Sequence, residues 1–192
     1  MKISCMKITN TKKLTKSNKN TINVYTDGST LNNCRRSYNS FGGIGVFFDK
    51  NDERNISEPF FIHPVTNNRC ELYACIRAIQ QIINFNKYIK KINVNIYTDS
   101  EYVINSLTTW IIMWKKRGWK TAEGKTPKNV DLIYWFDKIL FMNKNLLINF
   151  IHVKAHRNKP NNENNRVHWN GNKYADKLAK KGMIISKKLI KC

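Results

Sequence analysis

The stretches "NVYTDGS" (residues 23–29) and "NIYTDSE" (residues 95–101) share one order of residue types: Asn, an aliphatic residue, Tyr, Thr and Asp. Both alternate and contain β-branched residues, a pattern typical of strands. Because side chains alternate between the two faces of a strand, Asn, Tyr and Asp lie on one side of each. If the two strands are neighbours in a sheet, we expect Asp27 and Asp99 to lie side by side where the strands end.

The rest of the chain predicts an α/β fold, with one mixed sheet and helices packed on it. Strand patterns cover 21–27, 41–48, 54–62, 92–99 and 146–153. Helix patterns cover 69–84, a segment after Asp99, 130–142, and 169–182 with Gly182 expected to end the last helix. We therefore predict a folded domain over 21–183, preceded by a basic and disordered arm (1–20) and followed by a basic tail (184–192).

The charge of the chain favours a polyanionic partner. Its 192 residues include 34 Lys and Arg against 13 Asp and Glu, a net charge of +21. Such an excess is typical of proteins that bind nucleic acid or an anionic membrane surface. Since no apolar run approaches the length of a membrane span, we expect nucleic acid and no membrane. An AT-rich genome would also enrich Lys, although it explains diffuse charge better than clustered charge.

Cysteine usage and the basic arm bear on the compartment. The five cysteines are scattered without CxxC spacing, which excludes a disulfide framework or a zinc site and favours a reducing compartment, cytoplasm or nucleus. Residues 1–20 contain six lysines and no acid, which indicates a mobile arm or, alternatively, an organelle-targeting segment.

Two further acids complete a candidate cation site. Glu71 lies near the start of a predicted helix, and Asp176 lies in another beside small, core-facing residues. Each acid alone has an ordinary interpretation, because Asp27 precedes Gly28 as in a turn, Asp99 lies at a helix start, and helix acids are usually solvated. Four acids at element ends together favour a hard cation such as Mg²⁺ or Mn²⁺. In a basic protein they suggest two-metal phosphodiester chemistry.

Five segments occur in one order: "YTDGS", "TNNRCELYACIRAI", "YTDSEYVINSLTTWIIMWKKRGWKTAEGKTPKNVDL", "HVKAH" and "GNKYADKLAKKG". Over about residues 21–183 they resemble ribonuclease H of type 1, the cellular ribonuclease HI class. The resemblance implies a five-stranded mixed sheet flanked by helices, with a basic protrusion. It also implies Mg²⁺-dependent hydrolysis of the RNA strand of RNA–DNA hybrids, with two ions per site and Mn²⁺ as a substitute, leaving 5′-phosphate and 3′-hydroxyl ends.

The resemblance also assigns catalytic roles. The metal-binding carboxylates fall on Asp27, Glu71, Asp99 and Asp176. The loop histidine that transfers a proton or assists product departure falls on His156. The segment 157–171 is longer than in compact members and contains a second candidate, His168, while Glu101 stands where many members carry Gln, so its role is left open.

Further positions match the family's substrate contacts. The residues that contact the minor groove fall on Asn33, Asn67 and Asn68, and a pocket for a DNA phosphate falls on Thr66 and Asn129. A surface that contacts deoxyriboses falls on Tyr102 and Trp110. The basic protrusion covers 115–128, with Lys115, Lys116, Arg117 and Lys120 as its contacts. Amides can bond 2′-hydroxyls, and basic groups interleaved with tryptophans suit a phosphate backbone. Core packing remains an alternative for Trp110.

Two alternative functions remain. A non-catalytic module that binds hybrids or duplexes would not require four carboxylates, and a DNA-cutting nuclease of the wider superfamily is disfavoured by the basic protrusion and "TNNR". We expect a monomeric endonuclease that binds an RNA–DNA hybrid.

Overall fold

The computed structural model describes residues 20–31, 40–86, 91–154, 160 and 162–191. The strands are β1 (Thr21–Leu31), β2 (Phe41–Phe47), β3 (Ile56–Phe60), β4 (Ile92–Thr98) and β5 (Leu146–His152). The helices are α1 (Asn67–Phe85), α2 (Glu101–Asn105), a π-helical turn (Ser106–Trp110), α3 (Ile111–Lys116), α4 (Val130–Met142) and α5 (Glu163–Lys191). No described helix is long and apolar enough to cross a membrane.

The strands form a single five-stranded mixed sheet, as expected. Their order is β3-β2-β1-β4-β5. β1 pairs antiparallel with β2, and β2 with β3, whereas β1–β4 and β4–β5 are parallel. The two YTD stretches are therefore neighbours at the centre of the sheet, with Tyr25 opposite Tyr97 in register. The predicted adjacency of the two strands is therefore confirmed, with both aspartates two residues beyond this tyrosine pair, although β1 continues past Asp27 to Leu31 instead of ending there.

Helices cover both faces of the sheet. Val24 belongs to the main apolar core with α1 residues such as Leu72 and Ile76. The next residue, Tyr25, packs instead with Tyr97 and with Ala175 of α5. Because successive side chains of a strand point to opposite faces, α1 and α5 lie on opposite sides of the sheet.

Helix α5 differs from its prediction at both ends. It begins at Glu163 rather than 169, and it continues past Gly182 to Lys191. A Cβ at Gly182 would lie 2.3 Å from the Glu58 carbonyl oxygen, so this glycine permits close packing on β3 instead of ending the helix. The prediction of a long loop over 157–171 is thus wrong from residue 163 onward.

The predicted tail and arm have different outcomes. Residues 184–191 are helical, and Ser186 within them is fully buried. The arm lies outside the described residues apart from Asn20. The division of the chain into arm, domain and tail stays a prediction.

Candidate active site

Asp27 is the point at which the four predicted acids interact. Its side chain is only 8% exposed, and its Oδ1 accepts the Gly28 backbone N–H at 2.8 Å. The pKa of Asp27 rises from 3.8 to about 8, mainly through burial and then through the negative charges of Asp99, Glu71 and Asp176, against the lowering effect of the Gly28 bond. The structure therefore brings the four carboxylates together as one electrostatically coupled group.

Glycine at position 28 allows α1 to approach β1. Strand β1 continues through Gly28 to Leu31, so the turn interpretation of this segment is wrong. A Cβ at Gly28 would lie 2.4 Å from the Glu71 backbone nitrogen. Any larger residue would push α1, and with it the Glu71 carboxylate, away from Asp27. The glycine after Asp27 is needed for this close approach.

Two donors hold the Glu71 carboxylate. Oε1 accepts from the Asn67 amide and Oε2 from the Ser100 hydroxyl, both at 2.6 Å. Ser100 also caps α2 by accepting the Val103 N–H, so the cap is Ser100 and not Thr98. Burial raises the pKa of Glu71, with Asp99 adding to the effect and the Ser100 bond opposing it.

Asp99 is contacted by Asn172, a residue that the sequence analysis missed. The Asn172 Nδ2 donates to Asp99 Oδ2 at 3.2 Å, and Asn172 is only 7% exposed. Its Oδ1 is buried and has no hydrogen-bond partner among the described residues. Since Asn172 precedes Asp176 by one helical turn, the two share a side of α5. That spacing in "GNKYAD" was the available signal.

Asp176 is engaged by a cation from its own helix. The Lys180 Nζ lies 2.8 Å from Asp176 Oδ2, one turn further along α5. Asp27 and Glu71 are thus the most buried of the four acids, each 8% exposed, whereas Asp176 lies at the exposed side of the group.

The donor chemistry of this group fits a hard divalent cation. Every candidate ligand is an oxygen, burial and the neighbouring acids raise the pKa of Asp27, and the buried Asn172 Oδ1 can accept a further bond. Within the described ranges, no three His, Cys, Asp or Glu side chains already form a metal-binding arrangement. Three of the acids are instead bonded to other side chains: Glu71 to Asn67 and Ser100, Asp99 to Asn172, and Asp176 to Lys180.

The two histidine candidates have different outcomes. His156 lies outside the described residues and stays a prediction. His168 lies in α5, where its ring stacks on Tyr97 at 4.3 Å and its Nδ1 lies 3.0 Å from the Tyr25 hydroxyl. Burial lowers the pKa of His168. This histidine therefore packs α5 on the sheet and is not a loop residue.

The predicted DNA-phosphate pocket is organised by Arg69, which the sequence analysis did not single out. Thr66 immediately precedes α1, and Asn129 immediately precedes α4 with a left-handed φ of 58°. The buried Arg69 forms a bidentate pair with Asp131 and reaches the Asn129 Oδ1 at 3.5 Å. Asn129 also donates to the Tyr102 hydroxyl at 2.7 Å. A network therefore links the starts of α1 and α4 to Tyr102.

Of the three predicted minor-groove residues, two lie within α1. Asn67 and Asn68 form the first turn of that helix, where Asn67 bonds Glu71. Asn33 lies outside the described residues and stays a prediction.

The aromatic pair of the predicted deoxyribose surface is exposed. Trp110 is 38% exposed, which disfavours the core-packing alternative. Its ring meets Tyr102 edge-on at a centroid distance of 5.9 Å.

The basic protrusion is anchored by its tryptophans. Trp114 and Trp119 pack against the main core, and Trp119 contacts the Tyr134 ring edge-on at 5.1 Å. These two tryptophans therefore fix the base of the protrusion to the core, and its binding to a phosphate backbone stays a prediction. Lys115 bonds Asp137 at 2.7 Å, whereas the remaining predicted basic contacts are exposed: Lys116, Arg117 and Lys120.

Comparisons with known proteins place this site in context. The family described as RNase H matches residues 19–184. Ribonuclease HI of Haemophilus ducreyi is 38% identical over 146 residues, 74% of this chain and 83% of that protein. Ribonuclease H of Schizosaccharomyces pombe is 36% identical over 159 residues, 83% of this chain but 52% of its own length, so the chain spans about half of that relative. The solution structure of the PFV RNase H domain is 26% identical, with a TM-score of 0.64 over 85% of this chain and 94% of that domain.

Proposed function

This chain belongs to the ribonuclease H family, whose members generally use a divalent metal, and from that premise we propose that it hydrolyses the RNA strand of RNA–DNA hybrids. The products carry 5′-phosphate and 3′-hydroxyl ends. Two Mg²⁺ ions, replaceable by Mn²⁺, are held by Asp27, Glu71, Asp99 and Asp176. The protein acts as a monomer inside the cell, in the cytoplasm or nucleus, or in an organelle reached through the basic arm.

The observation that carries this proposal is the coupling of four carboxylates at the buried Asp27. Unpaired buried acids cost stability, and a protein that only binds nucleic acid gains nothing from them. Their presence in a chain of +21 net charge is accounted for by a divalent cation between the acids and a phosphodiester. Ions bound there would activate water and stabilise the charge on the leaving oxygen.

The protein's own residues hold the acids in place. The Asn67 amide and Ser100 hydroxyl orient Glu71, and Asn172 orients Asp99. Asp27 holds a proton below about pH 8 in the metal-free protein, so cation binding releases it. Proton transfer during the reaction falls to His156.

Recognition of the hybrid is divided between two surfaces. The DNA strand is bound through its phosphate by Thr66 and Asn129 and through its sugars by Tyr102 and Trp110. The Arg69 network supports this division, because it ties Asn129 to Tyr102 and fixes both against the start of α1. The RNA strand is recognised through 2′-hydroxyls by amides of the "TNN" segment and Asn33.

Cleavage of a labelled RNA–DNA hybrid tests the proposal. With Mg²⁺ the wild-type protein should cut the RNA strand, and Asp27→Asn should lose at least about 100-fold in rate, since the site loses a ligand. Asp52→Asn is the matched control, because Asp52 pairs with Arg54 away from the site and its loss should leave the rate unchanged. Binding without cleavage in both Mg²⁺ and Mn²⁺ would favour a binding module. Cutting of duplex DNA instead would favour a DNA nuclease.

A further inference from the structure

The exposed side of α5 carries many positive charges. Along this helix the basic residues are Arg166, Lys173, Lys177, Lys180, Lys181, Lys187, Lys188 and Lys191, against the acids Glu163 and Asp176. The opposite side packs on the sheet through buried residues that include Asn172, Ala175, Ala179, Gly182 and Ser186. Beyond Asp176 the exposed basic side chains are Lys177, Lys180, Lys181 and Lys188, with Lys187 half-buried, and exposed apolar residues such as Ile184 and Leu189 lie between and after them.

Six of these lysines form two rows on different edges of the helix. Seven residues make nearly two turns, so Lys173, Lys180 and Lys187 follow one another along one edge, which we name the site-edge row. Lys177, Lys181 and Lys188 form the far-edge row, turned by about 40–100° relative to the first. The two rows have equal charge and lie on the same element.

The site-edge row leads out of the candidate active site. Asp176 lies three residues after Lys173 and four before Lys180, spacings that place all three on one side of a helix. The contact of 2.8 Å between the Lys180 Nζ and Asp176 Oδ2 confirms this placement. From Lys173 to Lys187 the row spans about 21 Å, at ~1.5 Å per residue. It begins beside the acids and continues away from them.

The side chains of the row suit a phosphate backbone. Lys173 Nζ lies over the Trp169 ring, 4.8 Å from its centroid, so the ammonium is held near an aromatic face. Lys180 is paired with Asp176, whereas beyond Asp176 no acid follows in α5 to pair with Lys187. A line of ammonium groups along one helix edge complements a polyanion of regular charge spacing.

We propose that the site-edge row binds the phosphodiester backbone of the hybrid beyond the nucleotides at the active site. This inference rests on the proposed function only for the identity of the ligand. A length of about 21 Å covers roughly six base pairs at ~3.4 Å each, so the row contributes only when the hybrid extends along α5. Hybrids shorter than that reach are bound without it.

Two triple variants with the same change in charge test the proposal. The first combines Lys173→Gln, Lys180→Gln and Lys187→Gln; the second combines Lys177→Gln, Lys181→Gln and Lys188→Gln. Both are built in the full-length chain carrying Asp27→Asn, and Kd for a fluorescent hybrid is measured by anisotropy across a salt series. Each lost phosphate contact lowers the slope of log Kd against log salt by about 0.9, so the site-edge triple should lose up to ~2.7.

For the site-edge triple we expect a large loss of affinity for a long hybrid and a small loss for a short one. For the far-edge triple we expect little change in Kd on either hybrid. Equal effects of the two triples would overturn the proposal, because diffuse charge alone would then explain binding. An equal loss on long and short hybrids would also overturn it. Circular dichroism checks folding, and replacement of the three site-edge lysines by Arg should retain long-hybrid binding even if the Gln triple unfolds.

Failure of this inference is separable from failure of the proposed function. Binding is measured without cleavage, so a site-edge effect on Kd can be seen even if the wild-type protein cuts no hybrid. Conversely, if the wild-type protein cleaves hybrids but the two triple variants have the same Kd, the proposed function stands and the role of the site-edge row is refuted.

Discussion

Replacing Asp27 by Asn should stabilise the metal-free protein at high pH. The Asp27 carboxyl is buried, and its pKa rises from 3.8 to about 8 because burial and three neighbouring acids disfavour the charged form. The substitution keeps the shape of the side chain and removes the charge. A residue that we propose as a metal ligand should therefore lower stability when no cation is bound, and the effect should depend on pH.

The sign and size follow from proton binding. Between pH 3.8 and about 8 the folded protein holds a proton on Asp27 that the unfolded chain has released, so stability falls as the pH rises through this window. Four pH units at ~1.4 kcal/mol each set an upper limit of about 6 kcal/mol. Because the folded protein relaxes around a buried charge, we expect roughly half, ~3 kcal/mol, at pH 9 and little at pH 4.

Urea unfolding in EDTA at pH 4, 7 and 9 measures this difference. The free energy of unfolding of Asp27→Asn, relative to that of the wild type, should increase steadily as the pH rises. Added Mg²⁺ should reverse the order of the two proteins by stabilising only the wild type. Asp52→Asn is the control with the opposite sign, because the Arg54 side-chain bond lowers the pKa of Asp52 and its removal cannot stabilise the protein at neutral pH. The reasoning is refuted if Asp27→Asn is less stable than wild type at pH 9 in EDTA, or if its effect is the same at all three pH values.

Three further predictions test the surroundings of the site. Asn172→Ala should weaken divalent-cation binding in calorimetry, because Asp99 loses its donor, while Asn149→Ala, in an amide ladder further along the sheet, should not. Gly45→Ala should lower the thermal unfolding midpoint and cost at least ~2 kcal/mol, because its Cβ would lie 2.0 Å from a carbonyl oxygen of α5. Lys115→Met should reduce the free energy of unfolding by about 1 kcal/mol, because its ion pair with Asp137 is lost, whereas Lys116→Met should weaken only hybrid binding. Urea unfolding measures the first effect and fluorescence anisotropy the second.

The sheet was predictable because its signals are local. Strand alternation and turn residues identified all five strands to within a few residues, and 130–142 coincides with α4. The YTD repeat predicted the central pairing, because two strands with the same alternation of residue types bury the same face, and the repeated residues lie opposite each other in register. The proximity of Glu71 to Asp27 depended on α1 approaching Gly28, a tertiary contact to which the sequence pointed only through small residues in the helix.

The limits of α5 were not predictable from its own pattern. Residues 163–170 are mostly polar and rich in Asn, so no apolar period marks the start of the helix. Gly182 resembles a terminator, and only its contact with β3 explains a glycine within the helix. Asn172 was missed for a different reason: the predicted helix 169–182 already contained it, but amides are common in this chain and only its spacing of four residues from Asp176 distinguished it.

The repeated tyrosines explain the geometry of the site as much as the aspartates do. Tyr25 and Tyr97 face each other in register with rings stacked at 4.8 Å, and His168 stacks on the second ring and bonds the first. This layer docks the start of α5, so Asn172 and Asp176 follow one and two turns later beside the acids at the strand ends. Since Tyr and Asp are two residues apart in each segment, the face that docks the helix also carries the two aspartates proposed as metal ligands. Loss of the His168 ring should therefore weaken cation binding, measured by calorimetry, without removing any carboxylate.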